Sequence, residues 1–271
     1  MAEEDPGIRS QVGGDGVQYV HIDRAAVGNS LSPSARDALT DAFEAAANDP
    51  RVRAVLLSSA GERHFCAGAG LSTRPAATTP APEKRPGDVA RLLQRGWQRL
   101  IAAVLDCDKP VVAALNGTAV GAGVSLVLAC DFVVMAAGST LIEAFVDRGI
   151  LPDAGAIHLL TRIVGLRRAS EILMLGEPVD AARCLEWGLV NRVTGSEEVH
   201  DVAADVARRL AAGPSVMLAL TKRLLSVSSE SDRARAFEQE AWAAEIVSST
   251  ADLAEGLRAF AERRPARFEG R

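Results

Sequence analysis

Lys109-Pro-Val-Val-Ala-Ala-Leu-Asn-Gly-Thr-Ala-Val-Gly-Ala-Gly-Val-Ser-Leu-Val-Leu-Ala-Cys-Asp131 decides how this chain is read. Val111 to Leu115 is a short apolar strand. A glycine-punctuated turn follows, then an apolar helix that opens near Gly121 and runs to about Cys130. A helix that begins in glycines offers its first N–H groups with no side chain in the way. The positive end of the helix dipole adds to them, so such a place can hold an anion or a developing oxyanion. A glycine turn into a buried helix also serves ordinary packing, so this stretch needs a second one beside it.

The second stretch is Arg51-Val-Arg-Ala-Val-Leu-Leu-Ser-Ser-Ala-Gly-Glu-Arg-His-Phe-Cys-Ala-Gly-Ala-Gly-Leu71. It repeats the plan: a strand from Val52 to Ser58, a turn, and the small-residue segment Cys66 to Gly70. Two such turns, each behind a hydrophobic strand, can bring two backbone N–H donors toward one oxygen. The pair HFCAGAGL and KPVVAALNGTAVGAGVSLVLACD resembles the crotonase family, also called the enoyl-CoA hydratase/isomerase superfamily. Further matches are Ile22 to Leu31, Gly149-Ile-Leu-Pro-Asp-Ala-Gly155 and Ala181 to Val190, so the likeness runs from about Val17 to Phe268.

Bulk properties are those of a soluble globular protein. The 271 residues are 48% hydrophobic and 24% charged, enough for a large core in a globular protein. A net charge of -5 leaves no basic footprint for nucleic acid. The most apolar region, Val111 to Met135, is interrupted by Asn116, several glycines and Asp131, so no run is long enough to span a bilayer. The acidic start Met-Ala-Glu-Glu-Asp lacks the basic flank of a secretory signal. Cys66, Cys107, Cys130 and Cys184 lie far apart without metal-type spacing and read as small buried residues. The expectation is a cytoplasmic protein with neither a metal nor a nucleic-acid or membrane partner.

Along the chain, residues 1 to about 14 read as a loose polar arm and Val17 to Asp23 as a strand. A helix from Ser34 to Asn48, capped by Ser32 or Ser34, carries Ala38, Leu39, Ala42, Phe43 and Ala46 on one face. Thr73 to Pro86, rich in Pro, Ala and Thr, reads as a loop. One helix is expected from Gly87 to Leu105, a strand from Phe132 to Ala136, and a helix from Gly155 to Val164. From Arg168 strand signals fade, leaving helical segments at Ala169–Leu175, Asp180–Trp187, Val199–Ala212, Pro214–Leu225, Ser231–Ser248 and Asp252–Arg263. Strands alternating with helices argue for an α/β fold. The sequence shows no internal repeat. The resemblance implies a spiral ββα core over 15–200 and a helical region over 201–268 that drives assembly into a homotrimer or a dimer of trimers.

The resemblance also implies a chemistry. The thioester carbonyl of an acyl-CoA would accept hydrogen bonds from the N–H groups of Ala69 and Ala122. An enolate formed beside the thioester places its charge on that oxygen, and losing one such donor costs about 3–4 kcal/mol. Hydratases of the family use two glutamates; at the matching positions this chain has Ser125 and Phe145, neither of which can exchange a proton near neutrality. Asp153 stands where isomerases of the superfamily keep a single acid/base, and Glu143 to Gly155 looks most like the branch that isomerises ring-epoxide phenylacetyl-CoA. Asp153 could instead be a helix N-cap. Glu143 is a reserve carboxylate, near the missing second glutamate.

Cys66, Ala67, Gly68, Gly70, Leu71, Gly121, Ser125, Phe145 and Pro152 are expected around the thioester and acyl group. Arg24, Ala26 and Gly28 are expected along the CoA moiety, although family members often carry lysine at Ala26 and aspartate at Gly70. Arg74, Lys222, Arg223 or Arg263-Arg264 of a neighbouring subunit could meet the phosphates instead. The favoured reading is acyl-CoA isomerisation with no cofactor beyond the CoA ester itself. A non-standard enoyl-CoA hydratase and a non-catalytic acyl-CoA-binding protein are the alternatives.

Overall fold

The computed structural model describes residues 5–70 and 85–271. Among the described residues, ten strands form two sheets. The larger contains β1 (Ile8–Val12), β2 (Val17–Ile22), β3 (Ala54–Ser59), β5 (Val111–Leu115), β7 (Phe132–Ala136) and β10 (Arg192–Thr194), in that order. The β1–β2 pair is antiparallel, and all later neighbours are parallel. The smaller sheet contains β4 (His64–Cys66), β6 (Thr118–Val120), β8 (Thr140–Ile142) and β9 (Val179–Asp180).

β5 explains why the sequence reads as a continuous apolar run rather than an alternating one. Its five residues are buried on both faces, as expected of a central parallel strand. Val111, Ala113 and Leu115 join the main core beneath α1 (Pro33–Asn48), α3 (Trp97–Leu105) and α4 (Ala122–Leu128). Val112 and Ala114 join a second cluster under α7 (Val199–Ala211), with Ala203, Val206 and Ala207. The 200/201 division expected from the sequence therefore falls inside a helix that belongs to the sheet. The helices beyond it are α8 (Ser215–Ser228), α9 (Arg233–Ser248) and α10 (Ala251–Glu262).

Each of three main-sheet strands is followed at once by a strand of the smaller sheet, β3 by β4, β5 by β6 and β7 by β8, and then by helix. This is a ββα unit used three times, a structural repeat that the sequence does not display. β4, β6 and β8 are parallel neighbours, so the segments leaving their carboxyl ends share one edge of the smaller sheet.

Several expectations are corrected. The supposed loose arm contains β1, held to β2 across the Gly13–Gly16 turn, where Gly13 N–H donates to the Val17 carbonyl at 2.8 Å. The expected Gly87–Leu105 helix is two, α2 (Asp88–Arg95) and α3, broken at Gly96, whose φ of -105° and ψ of -109° are not helical. Conversely, Gly155–Val164 and Ala169–Leu175 join into α5 (Ala156–Leu175), kinked at Gly165. β6, β9 and β10 are too short, at two or three residues, for a period-two pattern to register. Ser32 rather than Ser34 caps α1, accepting from the Ala35 N–H at 3.2 Å. Asp180 caps α6 (Ala181–Glu186) by accepting from Arg183 N–H at 2.8 Å.

The start of β5 is pinned by Asp131. Its carboxylate accepts from the Val111 N–H at 2.8 Å and pairs with Lys222 of α8 at 2.8 Å. The Lys222 ammonium also donates to the carbonyls of Val104 and Lys109. Burial raises the Asp131 carboxyl while Lys222 opposes the rise, so the pair is an anchor only while both partners are present. Lys222→Met is expected to destabilise the fold by about 3 kcal/mol, because it leaves a partly buried carboxylate unpaired. Urea unfolding of the purified variant reads this directly.

Candidate active site

Two of the turns at that shared edge interlock. Gly68, at φ +76°, lies against the turn after β6: a methyl group built on it would stand 2.7 Å from the Val120 carbonyl oxygen and 3.4 Å from the Ala122 nitrogen. Gly123 returns the contact, since a methyl group there would stand 2.2 Å from the Cys66 carbonyl oxygen. Both positions demand glycine because backbone meets backbone.

The direction of the two candidate donors follows from peptide geometry. In a trans peptide the C=O and N–H point opposite ways, and every peptide among the described residues is trans. The Gly68 carbonyl accepts from Leu31 N–H at 2.9 Å, so the Ala69 N–H of the same peptide faces away from Leu31. The Gly121 carbonyl accepts from Val124 N–H at 2.8 Å and so points into α4, which sends the Ala122 N–H out of the helix end. Gly121 reaches this arrangement with φ 54° and ψ -122°, a conformation open to glycine. Among the described residues, neither N–H is taken up by a turn or cap hydrogen bond.

The third segment at the edge follows β8. Gly121 N–H donates to the Ile142 carbonyl at 2.8 Å, which sets Glu143 beside Gly121, and the Phe145 ring lies 3.7 Å from where a Gly121 side chain would begin. Phe145 is buried, closing this side with hydrocarbon. Ser125, one helical turn beyond Gly121, is fully buried and its hydroxyl has no partner among the described residues. Glu143 is also fully buried, with neither carboxyl oxygen hydrogen-bonded.

Asp153 and Pro152 are half-buried in the turn leading into α5. The helix cap is Gly155, which makes no side-chain bond, so Asp153 does not serve as the N-cap; only its main-chain carbonyl is used, accepting from Ala156 N–H at 2.9 Å. Burial raises the Asp153 carboxyl above its ordinary range. The Glu143 carboxyl is raised well above its own, by burial first and by Asp153 second. The charge of Asp153 thus adds to the effect of burial on Glu143, which the sequence reading gave no reason to expect. A charged residue inside an otherwise apolar stretch, Leu141 to Phe145, was the available signal.

The loop expected along the CoA moiety is held by Asn29, whose structural role the sequence reading missed. Its amide oxygen accepts from Arg24 N–H at 3.0 Å, and its amide nitrogen donates to the carbonyls of Ala60 at 2.8 Å and His64 at 2.6 Å. Ala67 N–H donates to the Gly28 carbonyl, fixing the loop to the small-residue turn. Ala26, Gly28, Ala60, Arg63 and His64 line a cavity of about 180 Å³. The Arg24 guanidinium is spent inside the loop, on the carbonyls of Ser30 and Pro6. Lys222 and Arg264 are likewise engaged, with Asp131 and with Glu255 and Glu262. Gly70 is hydrogen-bonded, and Leu71, Arg74 and most of the Thr73–Pro86 loop lie outside the described residues.

Among the remaining candidates, burial pushes the Cys66 thiol up to about 12, which removes it as a nucleophile. All four cysteines are free and buried. Trp97 is in the core. His158 is exposed on α5, near Glu230. No group of metal-ligating side chains occurs among the described residues, and no single helix there is long and apolar enough to cross a membrane.

The enoyl-CoA hydratase/isomerase family model matches residues 13–271. This chain belongs to that family. It is 32% identical over 257 residues to a 1,2-epoxyphenylacetyl-CoA isomerase of Escherichia coli, covering 94% of this chain and 96% of the relative. It is 32% identical over 228 residues to a carnitinyl-CoA dehydratase of Citrobacter koseri, covering 83% and 84%. The crystal structure of an enoyl-CoA hydratase from Bacillus anthracis superposes with a TM-score of 0.90 at 29% identity, covering 98% of this chain and all of that one. The protein is a crotonase-family acyl-CoA enzyme, and its relatives carry three reaction names.

Gly68→Ala tests the interlocked turns. Strain at positive φ is expected to cost about 1–2 kcal/mol of stability, the clash with the Val120 carbonyl adds to that loss, and displacing the Ala69 peptide is expected to weaken turnover about a hundredfold. Thermal melting separates the first effect from the second.

Proposed function

We propose that this enzyme isomerises an unsaturated acyl-CoA, with the thioester oxygen held by the N–H groups of Ala69 and Ala122 and Asp153 as the single acid/base. The carrying observation is the Asp153 carboxylate: half-buried, raised in pKa, free of the capping duty that would otherwise explain it, and without a hydrogen-bond partner among the described residues. Ionised Asp153 takes a proton from a carbon next to the thioester or its double bond. The electron pair moves toward the carbonyl oxygen, where the two N–H groups meet the charge. The protonated Asp153 then returns the proton to another carbon, so no atom is gained or lost and the aspartate ends as it began.

Ser125 and Phe145 stand where a two-carboxylate hydration would need proton carriers, which favours isomerisation over hydration. The proposed chemistry uses protein groups and the CoA ester alone. CoA is proposed to lie along Arg24, Ala26 and Gly28, chiefly through backbone contacts, with Cys66, Ala67, Gly68, Gly70, Leu71, Gly121 and Pro152 around the thioester and acyl chain. A cytoplasmic location belongs to the same reading, supported by the four free, buried cysteines.

Asp153→Asn decides the mechanism. Turnover, followed as double-bond migration and as proton exchange beside the thioester in heavy water, is expected to fall about 10²–10⁴-fold. Incorporation of water oxygen would mark hydration instead, and binding without exchange would mark a carrier. Wild-type activity should fall as pH drops through the raised Asp153 pKa, and the variant should lack that limb. The sign for stability is the reverse. A carboxyl raised on folding favours the fold below its unfolded pKa, and that contribution is lost as pH rises through the folded one. The asparagine variant is therefore expected to be at least as stable as wild type at neutral pH, with the loss confined to activity.

Assembly is proposed to be trimeric. Phe237, Trp242, Leu257 and Phe260 on α9 and α10 are largely exposed, Phe260 at 86%, an apolar surface that a subunit contact would cover. Sedimentation should give three times the chain mass, or six, and Phe260→Glu should reduce it to one.

A further inference from the structure

We propose that Glu143 is a second functional carboxyl of this site, donating a hydrogen bond to an oxygen carried on the acyl group, so that the favoured substrates are oxygenated acyl-CoA esters. This rests on the reading of the site as an acyl-CoA site and adds to it the class of acyl group.

The placement comes from the smaller sheet. Glu143 is the residue that follows β8, and β8 pairs in parallel with β6 through Ala119 opposite Leu141 and Val120 opposite Ile142. The next residues of the two chains are Gly121 and Glu143, so the carboxylic side chain begins beside the turn that presents the Ala122 N–H. Glu143 is 0% exposed, and its two oxygens are without a partner among the described residues. The Ser125 hydroxyl, one turn along α4, is in the same condition. Buried polar atoms of folded proteins are ordinarily satisfied, and leaving them so costs stability. Three such atoms around one turn call for polar atoms supplied by what binds there.

The protonation state fits donation. Of the charged groups on the neighbouring elements, Asp180 of β9 caps α6 and Arg148 donates to the Ala144 carbonyl. Asp153 is the one that acts on Glu143. Burial raises the carboxyl of the enclosed Glu143 well above its ordinary value and that of the half-buried Asp153 above its own, which favours the proton on Glu143. Two carboxyls whose surroundings separate their titrations are assigned by that separation: Asp153 the base, Glu143 the neutral donor. A hydrocarbon chain offers a buried acid nothing to bond. A hydroxyl, oxo or epoxide oxygen offers it an acceptor.

The experiment is calorimetric binding of butyryl-CoA and of its 2-hydroxy and 3-hydroxy derivatives to the purified enzyme. Wild type is expected to bind one hydroxy ester at least about tenfold more tightly than butyryl-CoA. Glu143→Gln, whose amide still donates, should keep the preference, and Glu143→Leu should bring the three esters to equal affinity. In wild type the preference should fade as pH rises through the Glu143 titration, and in Glu143→Gln it should not vary with pH. Glu143→Leu should also melt higher than wild type, since it removes an unsatisfied buried acid. Equal binding of all three esters to wild type, or a preference that survives in Glu143→Leu, overturns the role of Glu143 and leaves the acyl-CoA site standing. Failure of every ester to bind overturns both.

Discussion

The contact of two backbones at Gly68 and Gly123 is the constraint on which the rest of the molecule depends. Gly68 packs on the Val120 carbonyl and Gly123 on that of Cys66, closer than any side chain would permit. That approach is possible only because β4 and β6 are parallel neighbours, so their carboxyl ends lie side by side. It orients two peptide N–H groups without using a side chain. A donor fixed in this way needs no reorganisation when negative charge develops, which is where electrostatic stabilisation is most effective.

The larger sheet serves that contact by holding the strands that feed it. β3, β5 and β7 are buried on both faces, and each delivers its chain directly into the smaller sheet. Asp131 and Lys222 fix the start of β5 from the far side, and Asn116 fixes its end, donating to the Ser59 carbonyl at 2.9 Å and accepting from the Ser59 hydroxyl. Asn29 ties the neighbouring loop to the β3–β4 connection through two hydrogen bonds, to the Ala60 and His64 carbonyls, and braces the loop itself through a third, from Arg24 N–H. Among the described residues, the buried side-chain atoms without a partner are the Ser125 hydroxyl, both Glu143 oxygens and the Gln239 amide oxygen, and those of Ser125 and Glu143 flank the Gly121 turn. Stability has been arranged everywhere around the site and withheld at the site itself, a division common where chemistry needs unsatisfied groups.

The strongest sequence signals were those set by local physics. β5 appeared in full from its apolar run, α1 from its capping serine and apolar face, and α7 with a difference of one residue at its end. The errors have equally local causes. Gly96 breaks a helix that composition would carry through, and Gly165 kinks one without ending it. Strands of two or three residues hold too few side chains for any period to show.

The sequence by itself determined the family, the main buried strands with the helices beside them, the two small-residue turns and the absence of glutamate at positions 125 and 145. These are matters of residue type and spacing along the chain. Tertiary structure alone decided that Gly155 rather than Asp153 caps α5, that Lys222 is committed to Asp131, and that Glu143 is fully buried with its oxygens unpartnered among the described residues. Those outcomes turn on burial and on the company of groups far apart in sequence. A carboxylate's solvent and neighbours, not its place in a motif, set whether it holds a proton.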